Sequence, residues 1–517
     1  MTSKSIQIII IILAIALTAT AAPDDINDNV KSRPATKDKP LSVVPLFNSS
    51  LPTYGSEPKD NIRMHAASAA NATQPGVFAA RAGMPRLGAL PYRLDSIIER
   101  SKKQTITTTQ HAKGRRGRRG KAIKVTKTVE RNYRLGLYVY DLTADSVVIA
   151  CNENAMMTPA STQKLYVASA FLSNRGRDFR FETSMTTDGR VMKDDEGRRY
   201  FKGDIYLHGS FDPTLTAEDV RAMADAIRKM DIDSIDGRII VDNSIKAAIM
   251  QHKGWQWDKI PLSEEFTFTP VTFNEGRTSG GGRIRHPELY FASAICKQLM
   301  ADYFTFSTEE PWDVSMTPVR GKKELYRIVT PCQDVLARML KRSNNTYAES
   351  IMLNLCRLDE SWSYERCREI VRNMVRSSIS YANKHRQKGE PKRSEDALTD
   401  YYNVVDGSGL SHSNKTTAAS QVNLLRYIAS DRKLFSDMYN NLAIAGVDGT
   451  ISKRMAGDAT RNNVHAKTGT VNAVSTLSGY VTAPTGNLLA FAILVNGTYD
   501  MAFARSLQDQ ICNELAQ

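Results

Sequence analysis

The 517-residue sequence is poor in long apolar runs, in regularly spaced cysteines and, over one segment, in acidic residues. Each shortage excludes something. Apart from the N-terminal run Ile8 to Leu17, no stretch approaches the roughly 18 apolar residues that a membrane-spanning helix needs. That one run follows Lys4 and leads to Ala19-Thr20-Ala21, an A-x-A cleavage pattern, so residues 1–22 read as a secretory signal peptide. An exported protein of the periplasm or cell envelope is expected. The six cysteines (Cys151, Cys296, Cys332, Cys356, Cys367 and Cys512) are irregularly spaced and include no CxxC, which argues against a zinc site and against a dense disulfide scaffold. Cys356 and Cys367 are the nearest pair, open either to a bridge or to burial as small apolar side chains. No internal repeat is present.

Acidic residues are nearly missing between Arg100 and Arg134, where thirteen Lys or Arg stand against Glu130 alone. This segment carries +12 of the chain's formal +14, so the basic character belongs to a segment and not to a nucleic-acid-binding domain. Its centre, Lys113 to Lys121 (KGRRGRRGK), reads as a solvated loop, with an anionic envelope polymer as its candidate partner; behind a signal peptide no nucleic acid is expected.

An apolar fraction of 41% is enough for a sizeable core, and the length suggests two to four domains or subdomains. Residues 23–133 read as a largely disordered leader that contains the basic segment 100–134 and one amphipathic helix, Pro91 to Ser101. Order is expected from Arg134. Leu135–Leu142 and Val147–Cys151 form a hairpin by pattern, and Ala466–Val471, Thr476–Val481 and Leu488–Val495 read as strands. Gly209–Leu215 (GSFDPTL) reads as a turn. Helices are expected over Ala217–Met230, Leu289–Phe304, Cys332–Arg342, Tyr347–Leu358, Ala418–Ser430 and Ala502–Leu515. Strands bracket the ordered chain and helices fill its centre. The economical layout is α+β: an antiparallel sheet made by both ends, flanked by helices, with residues 134–185 and 305–517 as a discontinuous domain and 186–304 inserted into it.

Three short motifs carry chemistry. Ser161-Thr162-Gln163-Lys164 opens an apolar helix, and positions three apart share a helix face, so a hydroxyl meets an amine there. A serine needs a base to attack at neutral pH, and a desolvated lysine can serve. Ser343-Asn344-Asn345 falls in the gap between two helices, and Lys467-Thr468-Gly469 falls on a strand. Acyl transfer requires a nucleophile, a base, a proton relay, an oxyanion site and a substrate anchor. Ser161 can attack and Lys164 can take its proton. Ser343 can relay a proton to a leaving nitrogen, and Asn345 can hold an amide. Lys467 and Thr468 can bind a carboxylate, and Gly469 admits close backbone approach. Taken singly, each motif also reads as a helix cap or a strand end; their joint order favours the chemistry.

The S-x-x-K, S-x-N, K-T-G set resembles that of the penicillin-recognising serine enzymes. The separation of 182 positions from Ser161 to Ser343, with GSFDPTL, Gly254–Asp258 (GWQWD), Asp406–Ser411 (DGSGLS), Ala445–Ile451 (AGVDGTI) and His465–Val471 (HAKTGTV), narrows the likeness. The chain from about Arg134 to Gln517 is similar to class C low-molecular-mass penicillin-binding proteins, the D-alanyl-D-alanine carboxypeptidases/endopeptidases of the penicillin-binding protein 4 type. The resemblance implies a serine β-lactamase/transpeptidase-like domain that cleaves D-Ala-D-Ala termini or D-amino-acid cross-links of peptidoglycan. It further implies that Ser161 forms the acyl-enzyme, Lys164 is its base, and Ser343 and Asn345 line one wall. Lys467, Thr468, Gly469 and Thr470 would line the other, and the backbone N–H groups of Ser161 and Thr470 would form the oxyanion hole. Peptidoglycan stem peptides are the implied substrates and β-lactams the implied covalent inhibitors, with no metal or organic cofactor. Lys164 must be partly neutral to act, and burial beside Lys467 would lower its pKa. Two departures stand out: Asn344 where the family often has Asp, and an insertion that passes from Asn274-Glu275-Gly276 almost directly to the helix near Leu289, as though one subdomain were trimmed. A non-catalytic wall-binding scaffold that keeps the fold and a β-lactamase-like hydrolase are the alternatives. The intact motifs argue against the first and the long insertion against the second.

Overall fold

The computed structural model describes residues 87–113, 119–245, 269–278, 280–355, 363–386, 392–394 and 398–517, with the backbone of Ser42–Pro45. The expected signal peptide, GWQWD and Cys356 lie outside the described residues. The described chain divides into two compact units, one holding Asp178–Lys253 and Lys259–Val335, the other Gly55–Arg177 and Leu336–Gln517.

The second unit contains all three motifs. In chain order its elements are α1 (Leu90–Ser101), β1 (Lys103–Lys113), β2 (Arg119–Glu130), β3 (Arg134–Asp141), β4 (Ser146–Cys151) and α2 (Gln163–Arg175). After the boundary come α3 (Asn345–Leu353), α4 (Tyr364–Lys384), α5 (Ala418–Ser430), β5 (His465–Val471), β6 (Val474–Thr482), β7 (Leu488–Asn496) and α6 (Met501–Ala516). The main sheet runs Ala443–Ile444, β5, β6, β7, β3, β4, with every neighbouring pair antiparallel. Early and late chain meet where β3 pairs with β7, Leu137 opposite Ile493. The alternation of β3 explains its two faces. Leu135, Leu137 and Val139 enter an apolar core with Phe491, Leu507 and Ile511. Tyr140 lies on the other face, where the Arg426 guanidinium of α5 sits 3.7 Å from its ring centroid.

From residue 87 the leader is more ordered than its composition suggests. Helix α1 buries Leu90, Leu94, Ile97 and Ile98 in the same core, against α6, and Arg93 pairs with Glu514. A four-residue apolar stripe was enough to dock it. On either side of residues 114–118, the basic segment that follows is strand. It forms the β1–β2 hairpin, in register from Lys103 opposite Glu130 to His111 opposite Ala122. Threonine and valine at alternate positions explain the strands: Thr105, Thr107 and Thr109 line one face of β1, and the Thr107 and Thr126 hydroxyls meet across the pair. Residues 114–118 at the centre of the basic run lie outside the described residues.

The first unit is longer than the expected insertion 186–304, because strand pairing reaches past both ends. Arg180–Thr187 pairs antiparallel with Lys323–Pro331 over its whole length. These strands join Ile205–His208, Ile239–Asp242, Trp312–Ser315 and the Ser42–Pro45 backbone in a six-stranded sheet. Helices Ala217–Arg228 and Pro287–Ala301 cover its apolar side chains. Thr216 and Asp219 form a capping box that starts the first of these helices. GSFDPTL is not a simple turn, since Asp212–Leu215 is a strand, paired parallel with Val271–Phe273.

Candidate active site

The turn that carries Ser161 is built under constraint. Ala160 has φ +46°, a region that a residue with a Cβ seldom occupies, and Ala160–Thr162 form a single 3₁₀ turn before α2. Buried polar groups hold that turn from behind. Thr162 Oγ1 donates to the Pro159 carbonyl at 2.7 Å and accepts from Gln421 Nε2 of α5 at 2.6 Å. Thr476 Oγ1 of β6 donates to the same Pro159 carbonyl at 2.7 Å. A Cβ at position 469 would collide with that Thr476 hydroxyl and would sit 2.8 Å from both Pro159 O and Ser161 N. Gly469 was expected to make room for a substrate backbone; in the structure the room is taken by the protein's own Pro159–Ser161 turn.

The geometry brings the three motifs together. Lys164 is fully buried, and its Nζ lies 2.8 Å from Ser161 Oγ, 2.8 Å from Asn345 Oδ1 and 2.6 Å from the Ser408 carbonyl. Asn344 caps α3 by accepting from Tyr347 N–H, which explains why an amide serves as the middle residue of its motif. Ser343, at φ +60°, holds its hydroxyl 2.7 Å from Lys467 Nζ. Lys467 is also fully buried and donates to the Thr468 carbonyl at 2.8 Å. Burial first, and then the charge of Lys164, hold the Lys467 ammonium well below the ordinary lysine range. Thr468 Oγ1 donates to Thr450 Oγ1 at 2.7 Å, and Thr470 is exposed on the same strand.

Two groups that sequence reasoning left without a role enter this site. The Ser408 carbonyl, within DGSGLS, accepts from Lys164, but a main-chain acceptor leaves no side-chain signature. Thr450, within AGVDGTI, reaches Thr468. Its loop is tied down by Asp448, which accepts from Lys341 Nζ at 2.6 Å and from Ile444 N–H at 2.8 Å.

The family model described as the D-Ala-D-Ala carboxypeptidase 3 (S13) family matches residues 123–280 and 396–517, more than half of the chain. The chain belongs to this family. It is 22% identical over 446 residues to the D-alanyl-D-alanine carboxypeptidase DacB of Haemophilus influenzae, covering 72% of this chain and 87% of that protein. It is 26% identical over 444 residues to a D-alanyl-D-alanine carboxypeptidase of an Actinomadura species, covering 74% and 81%. The crystal structure of penicillin binding protein 4 from Haemophilus influenzae superimposes with a TM-score of 0.60 at 20% identity, covering 74% of this chain and 96% of that one, which establishes the shared fold. The chain is therefore a D-Ala-D-Ala carboxypeptidase-type enzyme of the penicillin-binding, α+β class. Helix α1 and β1 lie before the matched region.

Proposed function

We propose that the protein is an exported serine DD-peptidase that acts on D-Ala-D-Ala termini, D-amino-acid cross-links of peptidoglycan, or both, through an acyl-enzyme on Ser161. The observation that carries this reading is the contact of Lys164 Nζ with Ser161 Oγ at 2.8 Å, made by a lysine with no solvent exposure. Lys164 takes the Ser161 proton as Oγ attacks the penultimate D-Ala carbonyl. The carbonyl becomes an oxyanion that the N–H groups of Ser161 and Thr470 stabilise. When the intermediate collapses, the C–N bond breaks and Ser343, bridged to Lys467, passes a proton to the departing amine. Water then attacks the ester and Ser161 regains its proton. Lys467 and Thr468 anchor the terminal carboxylate, and Asn345 orients the stem-peptide amide. A β-lactam carries the same carboxylate and carbonyl, and acylates the same hydroxyl.

Release of D-Ala from a stem pentapeptide tests this assignment. Ser161→Ala is expected to abolish release while keeping the wild-type thermal melt, and an Ala variant that still turns over would overturn it. The hairpin supports a second, separable reading: it exposes Lys103, Lys124 and Lys127 on strands of the segment 100–134, which carries +12 of the chain's +14, and suits an anionic envelope polymer. Retention on a sulfated-polysaccharide column that falls steeply with salt would support this, and unchanged retention after removal of residues 103–130 would refute it.

A further inference from the structure

Two fully buried carboxylates, Glu349 of α3 and Asp406 of the DGSGLS loop, lie behind the site, and the reaction as written uses neither. Their partners are mostly backbone N–H groups of one short loop. Glu349 Oε1 accepts from Ser408 N–H at 2.7 Å, and Oε2 accepts from Gly407 N–H at 3.3 Å and from the Tyr364 hydroxyl at 2.8 Å. Asp406 Oδ1 accepts from Gly409 N–H at 2.6 Å and Oδ2 from Ser411 N–H at 2.7 Å, while Asn414 bridges Asp406 Oδ1 to Val405 N–H. Arg368 of α4 donates twice to the Val405 carbonyl and stacks on Tyr364. Gly409, at φ +82°, allows the loop to press against the nucleophile turn, since a Cβ there would strike the Ala160 carbonyl.

The peptide between Ser408 and Gly409 has a particular place in this arrangement. Its N–H donates to Asp406, and its carbonyl accepts from Lys164 Nζ. The preceding peptide, between Gly407 and Ser408, donates its N–H to Glu349. Both carboxylates thus grip successive peptides whose far end holds the lysine. The consequence for Lys164 follows from counting its protons. As a neutral amine it has two N–H bonds and one lone pair. Asn345 Oδ1 and Ser408 O can only accept, so the two N–H bonds go to them and the lone pair is left for the Ser161 hydroxyl, which can donate.

We propose that Glu349 and Asp406 are positioning residues: together they fix the Ser408 carbonyl as a standing acceptor for Lys164 and so turn the lysine's lone pair onto the Ser161 hydroxyl. This inference rests on the reading of Lys164 as general base. The titratable and charged groups that face the pair are Tyr364 and Arg368 of α4, Tyr402 beside Asp406, and Lys164 beyond Ser408. Burial, and then the charge of Asp406, push the Glu349 carboxyl up to about 7. Below that pH one Glu349 oxygen carries a proton and becomes a poor acceptor, and the grip on the loop weakens.

The test is the pH dependence of the second-order rate of acylation by benzylpenicillin, with thermal melts of each variant alongside. The wild type is expected to lose rate as pH falls through about 7. Glu349→Gln keeps the volume and cannot titrate; it should slow acylation at pH 8 by roughly tenfold to a hundredfold, the range a small misplacement costs. It should also move the acid limb to lower pH. Tyr364→Phe removes one hydrogen bond to the carboxylate, and should move the acid limb to higher pH. Opposite shifts in the two variants support the proposal. Unshifted limbs, with any change confined to the melts, overturn it, because a merely structural role would move stability alone. If Glu349→Gln does not fold, the Tyr364→Phe shift decides alone. Failure of the underlying reading would look different: Lys164→Ala would then acylate at the wild-type rate.

Discussion

Lys164 and Lys467 are both fully buried, and the structure holds them by different means. Around Lys164 stand a hydroxyl, a side-chain amide and a main-chain carbonyl, and the last of these is tied to two carboxylates through the Asp406–Ser411 loop. Lys467 meets the Ser343 hydroxyl and the carbonyl of its own neighbour, and no carboxylate pairs with it among the described residues. A buried cation without a counter-charge is costly, so Lys467 is held well below its ordinary range. On the mechanism proposed above, the comparison teaches how one residue type performs two tasks. Lys164, the proposed base, is oriented by fixed acceptors. Lys467, the proposed carboxylate anchor, is left short of negative charge, which a substrate carboxylate would supply.

The largest expected effect is on Lys164. Lys164→Ala should slow acylation by ~10³-fold or more, since it removes the proposed base. Lys467→Ala should cost about 10²-fold, with much of the loss appearing as weaker binding of carboxylate-bearing substrates. Pre-steady-state acylation separates the two contributions. Equal losses at both positions, with binding unaffected at each, would erase the distinction drawn here. The next effect is on stability. Because the folded state depresses the Lys467 pKa, the unfolded chain binds more protons between that lowered value and 10.5, and unfolding free energy should rise with pH in that window. Lys467→Met should flatten the slope in urea titrations run across a pH series. A slope unchanged by the substitution would mean that Lys467 is not depressed.

A smaller effect falls on the carboxylate anchor. Thr450→Val removes the hydroxyl that meets Thr468, and should raise KM for a free-carboxylate substrate by up to about tenfold while leaving kcat within about twofold. Comparing D-Ala-D-Ala termini with amidated analogues shows whether that hydroxyl serves the carboxylate. The least effect on the chemistry is expected from Leu94→Ala in α1. It should destabilise the domain by about 2–5 kcal/mol, as buried leucine truncations do, and leave the acylation rate of the folded enzyme unchanged.

The contrast between the lysines also marks where the sequence was readable. Ser161, Lys164, Ser343, Asn345 and Lys467 were legible because acyl transfer needs those side chains in short fixed spacings, and the structure joins Lys164 to Ser161 and Asn345, and Lys467 to Ser343, by hydrogen bonds. The sheet was legible for a related reason: Leu135 to Leu142 and Leu488 to Val495 are apolar runs of strand length. The support beneath the site was not legible. Glu349 sits on a helix, where a lone glutamate ordinarily faces solvent, and only Tyr364 and the Ser408 loop, distant in sequence, reveal that it is buried. Helix α4 went unread because its apolar positions are interleaved with four arginines. The strands of the β1–β2 hairpin went unread because charge outweighed the alternating threonines and valines that form them. Strand Arg180–Thr187 is mostly polar and Lys323–Pro331 mixes charged and apolar residues, and they are strands because each has the other to pair with.

The most direct test of the central claim is covalent labelling of the folded protein with a fluorescent penicillin, followed by peptide mapping, in the wild type and in Lys164→Ala. The account predicts a stable adduct on Ser161 in the wild type and a greatly slowed adduct on the same residue in the variant. An adduct on any other residue, or a Ser161 adduct that forms equally fast without Lys164, would contradict it.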